Sequence, residues 1–356
     1  MPSLNEAKKK LDSIIKKARI HLYKPIQIAE ILYQHRINPS FDLKKLESFR
    51  KSSKQWRDEV TQKLVGRICT SSARFQDNLF EANAMPPRFL AVLGNINEES
   101  PSGKIEAYIY EKLTKRFETL NKIVRYVFHA KPNTFNLTEL IKKFTSEPGL
   151  KRSIDKCYEI IAYALFNALI VYLEAMATLE IPTKNQKLLS EFEDFAKTVL
   201  NLSTDQPSIS VPACVYRTGV TNAADRGLDI WSNFGPAIQI KHVTFDKDSA
   251  IDIACQVSEK AKIIVVCKKT DRKTIHSLIN QLGLLNKIQG IVTQDNLENW
   301  YDRCLKGKYA DTIGHEVLQI LKNEFILEFP STGTALTALI KERKYDKIKL
   351  QAPWRV

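Results

Sequence analysis

Asp229 and the tripeptide Gln239-Ile240-Lys241 lie within GLDIWSNFGPAIQIKHVTF, residues 227–245. Asp229 sits in one short apolar run. After a small turn, an alternating apolar strand carries the lysine. Gln239 and Lys241 are two positions apart and share one face of such a strand, while Ile238 and Ile240 point the other way into a core. A carboxylate and an amine converging from neighbouring strands could act on a phosphodiester. That hydrolysis requires an activated water, neutralisation of charge building on the phosphate, and stabilisation of the leaving 3′-oxygen, needs that bound Mg²⁺ meets together. Mg²⁺ takes oxygen ligands in an octahedron and keeps several waters. Asp229 offers a carboxylate, Gln239 an amide oxygen and Ile240 a main-chain carbonyl. Lys241 would orient or help deprotonate the attacking water. Against this stands the commoner fate of such residues, a solvated strand lysine and an Asp beside a turn, so the pattern needs support from its context.

A Gln between the isoleucines leaves the site one negative charge short. A compensating carboxylate is expected from the helix before the sheet, where SEFEDF holds Glu191, Glu193 and Asp194, and Glu193 is the choice. The competing reading of that segment is a solvated acidic helix surface. Asp225 is the substitute for Asp229, which is preferred for its place inside the apolar run. His242 adjoins Lys241 but faces the opposite side, which suits packing or a phosphate contact. There is no H-E-x-x-H spacing, no G-x-S-x-G element and no G-x-x-x-x-G-K-[ST] loop, so zinc-protease, serine-hydrolase and ATP-driven chemistry are not indicated.

The elements that must position these residues change in character along the chain. Lys8 to Arg19 reads as an amphipathic helix, Pro25 opens a second, and Asn38-Pro39 stops it. Asp42 to Phe49 and Ser53 to Leu64 read as short helices. This order is compatible with a helix-turn-helix-like unit that places Lys54, Gln55 and Arg57 near the start of its last helix, where such units read DNA; the alternative is a solvated charged face. Lys104 to Phe128, Leu150 to Leu179 and Asn185 to Leu200 read as long helices. Beyond residue 205, short β-branched runs at 208–216, 227–231, 237–245, 262–268 and 287–293 alternate later with helices at 249–260, 272–283, 295–305 and 310–326. Such succession implies an α+β or α/β architecture: a helical N-terminal region, 1–149, and a mixed sheet flanked by helices, 150–356.

Composition agrees with a polyanionic partner. The chain of 356 residues carries 54 Lys and Arg against 40 Asp and Glu, a net charge of +14. Residues 1–67 hold 16 basic and 7 acidic side chains, a surplus of 9, and a concentrated basic region is the electrostatic footprint of nucleic-acid binding. The six cysteines (Cys69, Cys157, Cys214, Cys255, Cys267, Cys304) show no C-x-x-C pair, and four of them lie in apolar surroundings and read as small core residues of a reducing compartment. The run IIAYALFNALIVYL is 14 residues long without a charge, short of the ~20 a spanning helix needs. With a polar, lysine-rich start that resembles no secretory signal, the expectation is a cytoplasmic protein with no membrane partner.

The Asp…Gln-x-Lys arrangement resembles the PD-(D/E)XK nuclease signature with Gln at its middle position. The stretches HLYKPIQIAEILY, TSSARFQDNLFE, EAYIY, EPGLKRSIDK, GVTNAADRGLDIWSNFGPAIQIKH and IVVCKK resemble the HaeII family of type II restriction endonucleases, from near residue 5 to beyond residue 330. The tail from about residue 331 matches it poorly. The resemblance implies a magnesium-dependent homodimer cutting double-stranded DNA at the palindrome RGCGCY, with a cognate methyltransferase protecting host DNA. It implies Asp229, Gln239 and Lys241 as the nuclease triad. A G·C-rich target favours Arg or Lys forking onto guanine in the major groove. Candidate readers are Arg74, Gln76 and Asn78, Arg217 and Asn222, and Lys54 to Arg57, each of which could equally contact phosphate. A repair or structure-specific nuclease of the same fold and a non-catalytic DNA-binding regulator are the alternatives. The paired lysine and carboxylate argue against the regulator.

Overall fold

The computed structural model describes residues 2–18, 22–38, 40–66, 68, 85–147, 150, 153–218, 229–244, 262–269, 287–329 and 333–355. Helix α1 (Leu4–Lys17) starts on a capping box in which Ser3 and Glu6 satisfy each other's main-chain N–H groups. Helix α2 (Tyr23–Ile37) starts just before Pro25 and stops at Asn38. It packs on α3 (Arg50–Val65), which ends on Gly66 in the left-handed conformation (φ 70°). The helix expected over 42–49 shrinks to a single 3₁₀ turn, Leu46–Ser48. Local side-chain bonds win there: the Asp42 carboxylate accepts from the Lys44 N–H (2.8 Å), and the Ser48 hydroxyl donates to the Lys45 carbonyl (2.6 Å). Helices α4 (Pro87–Glu98), α5 (Lys104–Phe128) and α6 (Leu137–Ser146) lead to the apolar helix α7 (Ile154–Tyr172).

Helix α7 was expected to run to Leu179 and instead ends at Tyr172. Glu174 turns left-handed (φ 50°), and Met176–Glu180 becomes strand β1, paired antiparallel with β2 (Ser208–Pro212). Pro182 bars helical continuation just beyond, while Thr178 and Ser210 join hydroxyls across the ribbon at 2.8 Å. The helix expected over 185–200 is likewise broken, into α8 (Gln186–Glu191), a turn at Glu193–Phe195 and a π turn at Ala196–Leu200. The single strand expected over 208–216 is two strands in different sheets. At the break, Asn233 accepts from the Cys214 N–H (2.8 Å) and donates to the Pro212 carbonyl (2.8 Å).

The main sheet has the spatial order β3 (Val215–Arg217), β4 (Ile230–Ser232), β5 (Ala237–Thr244), β6 (Ile263–Lys269) and β7 (Ile288–Thr293). Its first two junctions are antiparallel and its last two parallel, the mixed sheet that the sequence predicts. The helices expected over 249–260 and 272–283 lie outside the described residues. Val215, Ile230, Ile238 and Ile240 are buried, and α7 packs against β3 and β5. Helix α10 (His315–Glu328) packs on α7, and α9 (Gln294–Lys306) covers β6 and β7. Helix α11 (Gly333–Glu342) returns to α3 and α5. One apolar cluster runs from Ala7 to Trp354 and joins these layers. Among the described residues, no helix is long and apolar enough to cross a membrane.

Candidate active site

Asp229 stands at the entrance to β4 and is tied on both sides. Its N–H donates to the Ile238 carbonyl (3.3 Å), and its own carbonyl accepts from the Thr218 N–H (3.0 Å) and hydroxyl (2.8 Å). Its side-chain Oδ2 accepts from the Ile240 N–H at 2.7 Å. That last bond fixes the carboxylate at the middle residue of Gln239-Ile240-Lys241, so the constellation read from strand spacing is brought together. Gln239 is buried, 1 % exposed, and Lys241 is half-buried.

A residue absent from the sequence reading completes the cluster. Glu159 on α7 is 3 % exposed and lies beside Asp229, each carboxyl acting on the other. Lys156, one turn earlier, pairs with it at 2.7 Å. Burial pushes the Glu159 carboxyl up to about 7; the Asp229 charge adds to the rise, while Lys156 and Arg217 oppose it. Asp229 is also raised, first by burial; the Ile240 N–H, Lys156, Lys241 and the Glu159 hydrogen bond pull it back. Two acids in one buried space resist simultaneous ionisation, and a bound cation would relieve them. Glu159 appears in sequence only as the charge that opens an apolar helix. A carboxylate inside a core helix was the available signal, since such a group must be paired or functional.

Arg217, proposed from sequence to touch DNA, is turned inward and is 5 % exposed. Its Nε bonds Glu324 at 2.7 Å, its Nη1 bonds Glu328 at 3.1 Å, and the same nitrogen lies 3.7 Å from Glu159. These carboxylates raise its pKa against the opposing effect of burial. In this conformation the guanidinium faces the acidic cluster from within the protein. Glu193 is held elsewhere: its Oε1 accepts from the Thr204 hydroxyl (2.6 Å) and N–H (3.1 Å), and Lys197 pairs with Oε2 at 3.2 Å. The Thr204 bonds, with Lys197, hold its carboxyl down to about 2. The acid that the structure places against Asp229 is Glu159.

Of the other expected DNA contacts, Lys54 and Gln55 are exposed on α3. Arg57 on the same helix is buried, paired with Asp58 at 2.6 Å and bonded to Gln27 of α2 at 3.4 Å. It locks the two helices together. Arg74, Gln76, Asn78, Asn222 and Asp225 lie outside the described residues, as does the side chain of His242.

The donor set suits a hard cation: two adjacent carboxylates, an amide and main-chain carbonyls, all oxygen, with an ammonium alongside. Among the described residues no group of three or more His, Cys, Asp or Glu side chains is gathered for a metal. Two protein carboxylates with the rest of the shell left to water and substrate is the usual manner of Mg²⁺.

Comparison with known proteins adds an independent line. The family model described as HaeII restriction endonuclease matches residues 7–345. The chain is 46% identical over 348 residues to "Type II restriction enzyme HaeII" of Haemophilus aegyptius, covering 98% of each chain. It is 47% identical over 343 residues to "Type II restriction enzyme NgoBI" of Neisseria gonorrhoeae, covering 96% of this chain and 97% of that one.

Proposed function

Since the chain belongs to the HaeII restriction endonuclease family, we infer that Asp229, Gln239, Lys241 and Glu159 form the centre at which it cuts DNA. The protein is a type II restriction enzyme, a site-specific deoxyribonuclease. The repair-nuclease and regulator alternatives fall away with that membership. The observation that carries the site is the 2.7 Å bond from the Ile240 N–H to Asp229 Oδ2, which sets the carboxylate beside the Gln239 and Lys241 positions.

We assign Mg²⁺ as cofactor, held by Asp229 and Glu159 with Gln239 and the Ile240 carbonyl as neutral oxygen donors. When bound, the ion neutralises phosphate charge and makes a water more acidic. Lys241, as an ammonium, offsets further charge on the phosphate and orients the attacking water. The P–O3′ bond breaks as the P–O bond to water forms, and the proton balance closes on the leaving 3′-oxygen. Arg217 keeps Glu159 in register through Glu324 and Glu328. The proposed substrate is double-stranded DNA at RGCGCY. The protein works in the cytoplasm as a homodimer, alongside a methyltransferase that modifies the same sequence.

The test is digestion of phage DNA by the full chain with Mg²⁺. Discrete bands are expected from the wild type. Asp229→Asn and Lys241→Ala should abolish cutting while binding survives, and Gln239→Glu, which keeps an oxygen at the same reach, should be milder. Cleavage by Asp229→Asn at the wild-type rate would overturn the assignment.

A further inference from the structure

Exposed apolar surface on this molecule is concentrated in one projection. Among the described residues, ten of the nineteen exposed large apolar side chains fall within residues 171–211, a segment far too short to hold half of them by chance. Its helical part shows Leu188, Phe192, Phe195 and Val199 to solvent, 57%, 52%, 55% and 60% exposed. Their spacing of four, three and four puts them on one stripe, the pattern of a helix seam awaiting a partner. Leu189 and Ala196 turn inward instead. In the ribbon, Ala177 pairs with Val211 and Leu179 with Ile209, so one face is wholly apolar, and Leu179 and Val211 are exposed on it. Among the described residues, strands β1 and β2 pair only with each other. Leu189, Ala196 and Leu202 form a small interior apart from the main cluster. A lone two-stranded ribbon is marginal in water and needs cover.

The charge and area of the projection indicate its occupant. Residues 173–213 carry six acidic and three basic side chains, net −3, in a chain of +14. An acidic, apolar face repels DNA. Eight of the exposed large apolar side chains lie within residues 173–213 and, at on the order of 100 Å² each, offer roughly 800 Å², equal to the ~800 Å² per partner of a stable interface. A two-fold axis lays one stripe against its own copy, so no second complementary surface has to exist. We propose that residues 173–213 are the dimerisation arm, and that a second copy of the same arm covers it. The inference rests on the restriction-enzyme reading in one respect: one centre cuts one strand, so two are needed for a double-strand break. The arm leaves the body from α7, which carries Glu159, and re-enters at β3, which carries Arg217. Docking of arms thereby fixes the distance between two centres.

The test is sedimentation of the full chain, free and on duplex DNA, beside Phe192→Asp/Phe195→Asp and the milder Phe192→Ser. Thermal melting controls for folding. The wild type should be a dimer. The double variant should be a folded monomer, its dissociation constant raised at least about 100-fold, and it should nick supercoiled DNA more than it linearises it. Phe192→Ser should fall between. If the double variant stays dimeric, the arm is not the interface, although a homodimer stands. A wild type that is monomeric on DNA and still cuts both strands overturns the homodimer itself. Loss of DNA affinity by a variant that stays dimeric would make the arm a DNA contact and sink the proposal. A dimer that separates on substitution but never cuts DNA upholds the arm and refutes the nuclease centre.

Discussion

Glu159 is held by the fold in a state unlike that of a solvated carboxylate, and this has a cost that depends on pH. Its pKa stands at about 7 in the folded chain against 4.5 ordinarily. The folded protein therefore holds more protons between these values. Stability fully present below pH 4.5 is lost as the pH rises through 7, on the order of 3 kcal/mol in all. Denaturant unfolding of metal-free protein from pH 5 to 8 should show this slope. Glu159→Gln should remove most of it, leaving the smaller contribution of Asp229, which is raised in the same direction. A wild-type profile flat over that range would show that the pair is not coupled as described. Asp229 and Lys241 were legible in sequence because strand geometry alone sets two-residue spacing and one hairpin-like turn sets the rest. Glu159 was not, because its place depends on how α7 packs against β3 and β5, a tertiary fact. The acids chosen from sequence, around Glu193, belong to the arm.

Elements were legible where their apolar period had a body to pack against. Helix α5 was read over Lys104–Phe128 to its ends, and β5, β6 and β7 were read to within a residue or so. Misreadings cluster in 173–213, where helical and strand patterns face solvent and local bonds decide. The C-terminal tail, to which the sequence reading assigns no element, closes onto the N-terminal helices. Arg343, just beyond α11, forks onto Glu30 of α2 at 2.7 and 2.8 Å, and Tyr110 donates to the same carboxylate at 2.5 Å. Tyr345 and Arg36 converge on the buried Glu106 at 2.6 and 2.8 Å. Removing one partner of a buried pair strands the other charge, so Arg343→Ala should cost about 3–5 kcal/mol. Glu30→Gln with Arg343→Met should recover part of the loss, because no charge is then left unpaired. Denaturant midpoints read both, and equal losses in the single and double variants would argue against a stranded charge.

Across the whole molecule, charge is divided by task. The arm carries −3 of a total of +14, so the remainder carries +17. Binding to DNA should weaken steeply with salt, log K falling by roughly 0.9 per unit of log salt for each phosphate neutralised. Lys→Ala at Lys51 and Lys54, both exposed on α3, should each reduce that slope by about 1 if the N-terminal helices line the duplex. An unchanged slope would move the interface away from α3. The tail's return to the first helices also bears on the order of events in a cell. Glu30 and Glu106 are made 313 and 239 residues before their partners Arg343 and Tyr345. A nascent chain, built N-terminus first, must keep those two acids hydrated and its opening helices loosely assembled until Arg343 and Tyr345 emerge. The helical body is thus closed only after the segment that carries Arg343 and Tyr345 has been made, and a chain interrupted before that segment would be left without its clamp.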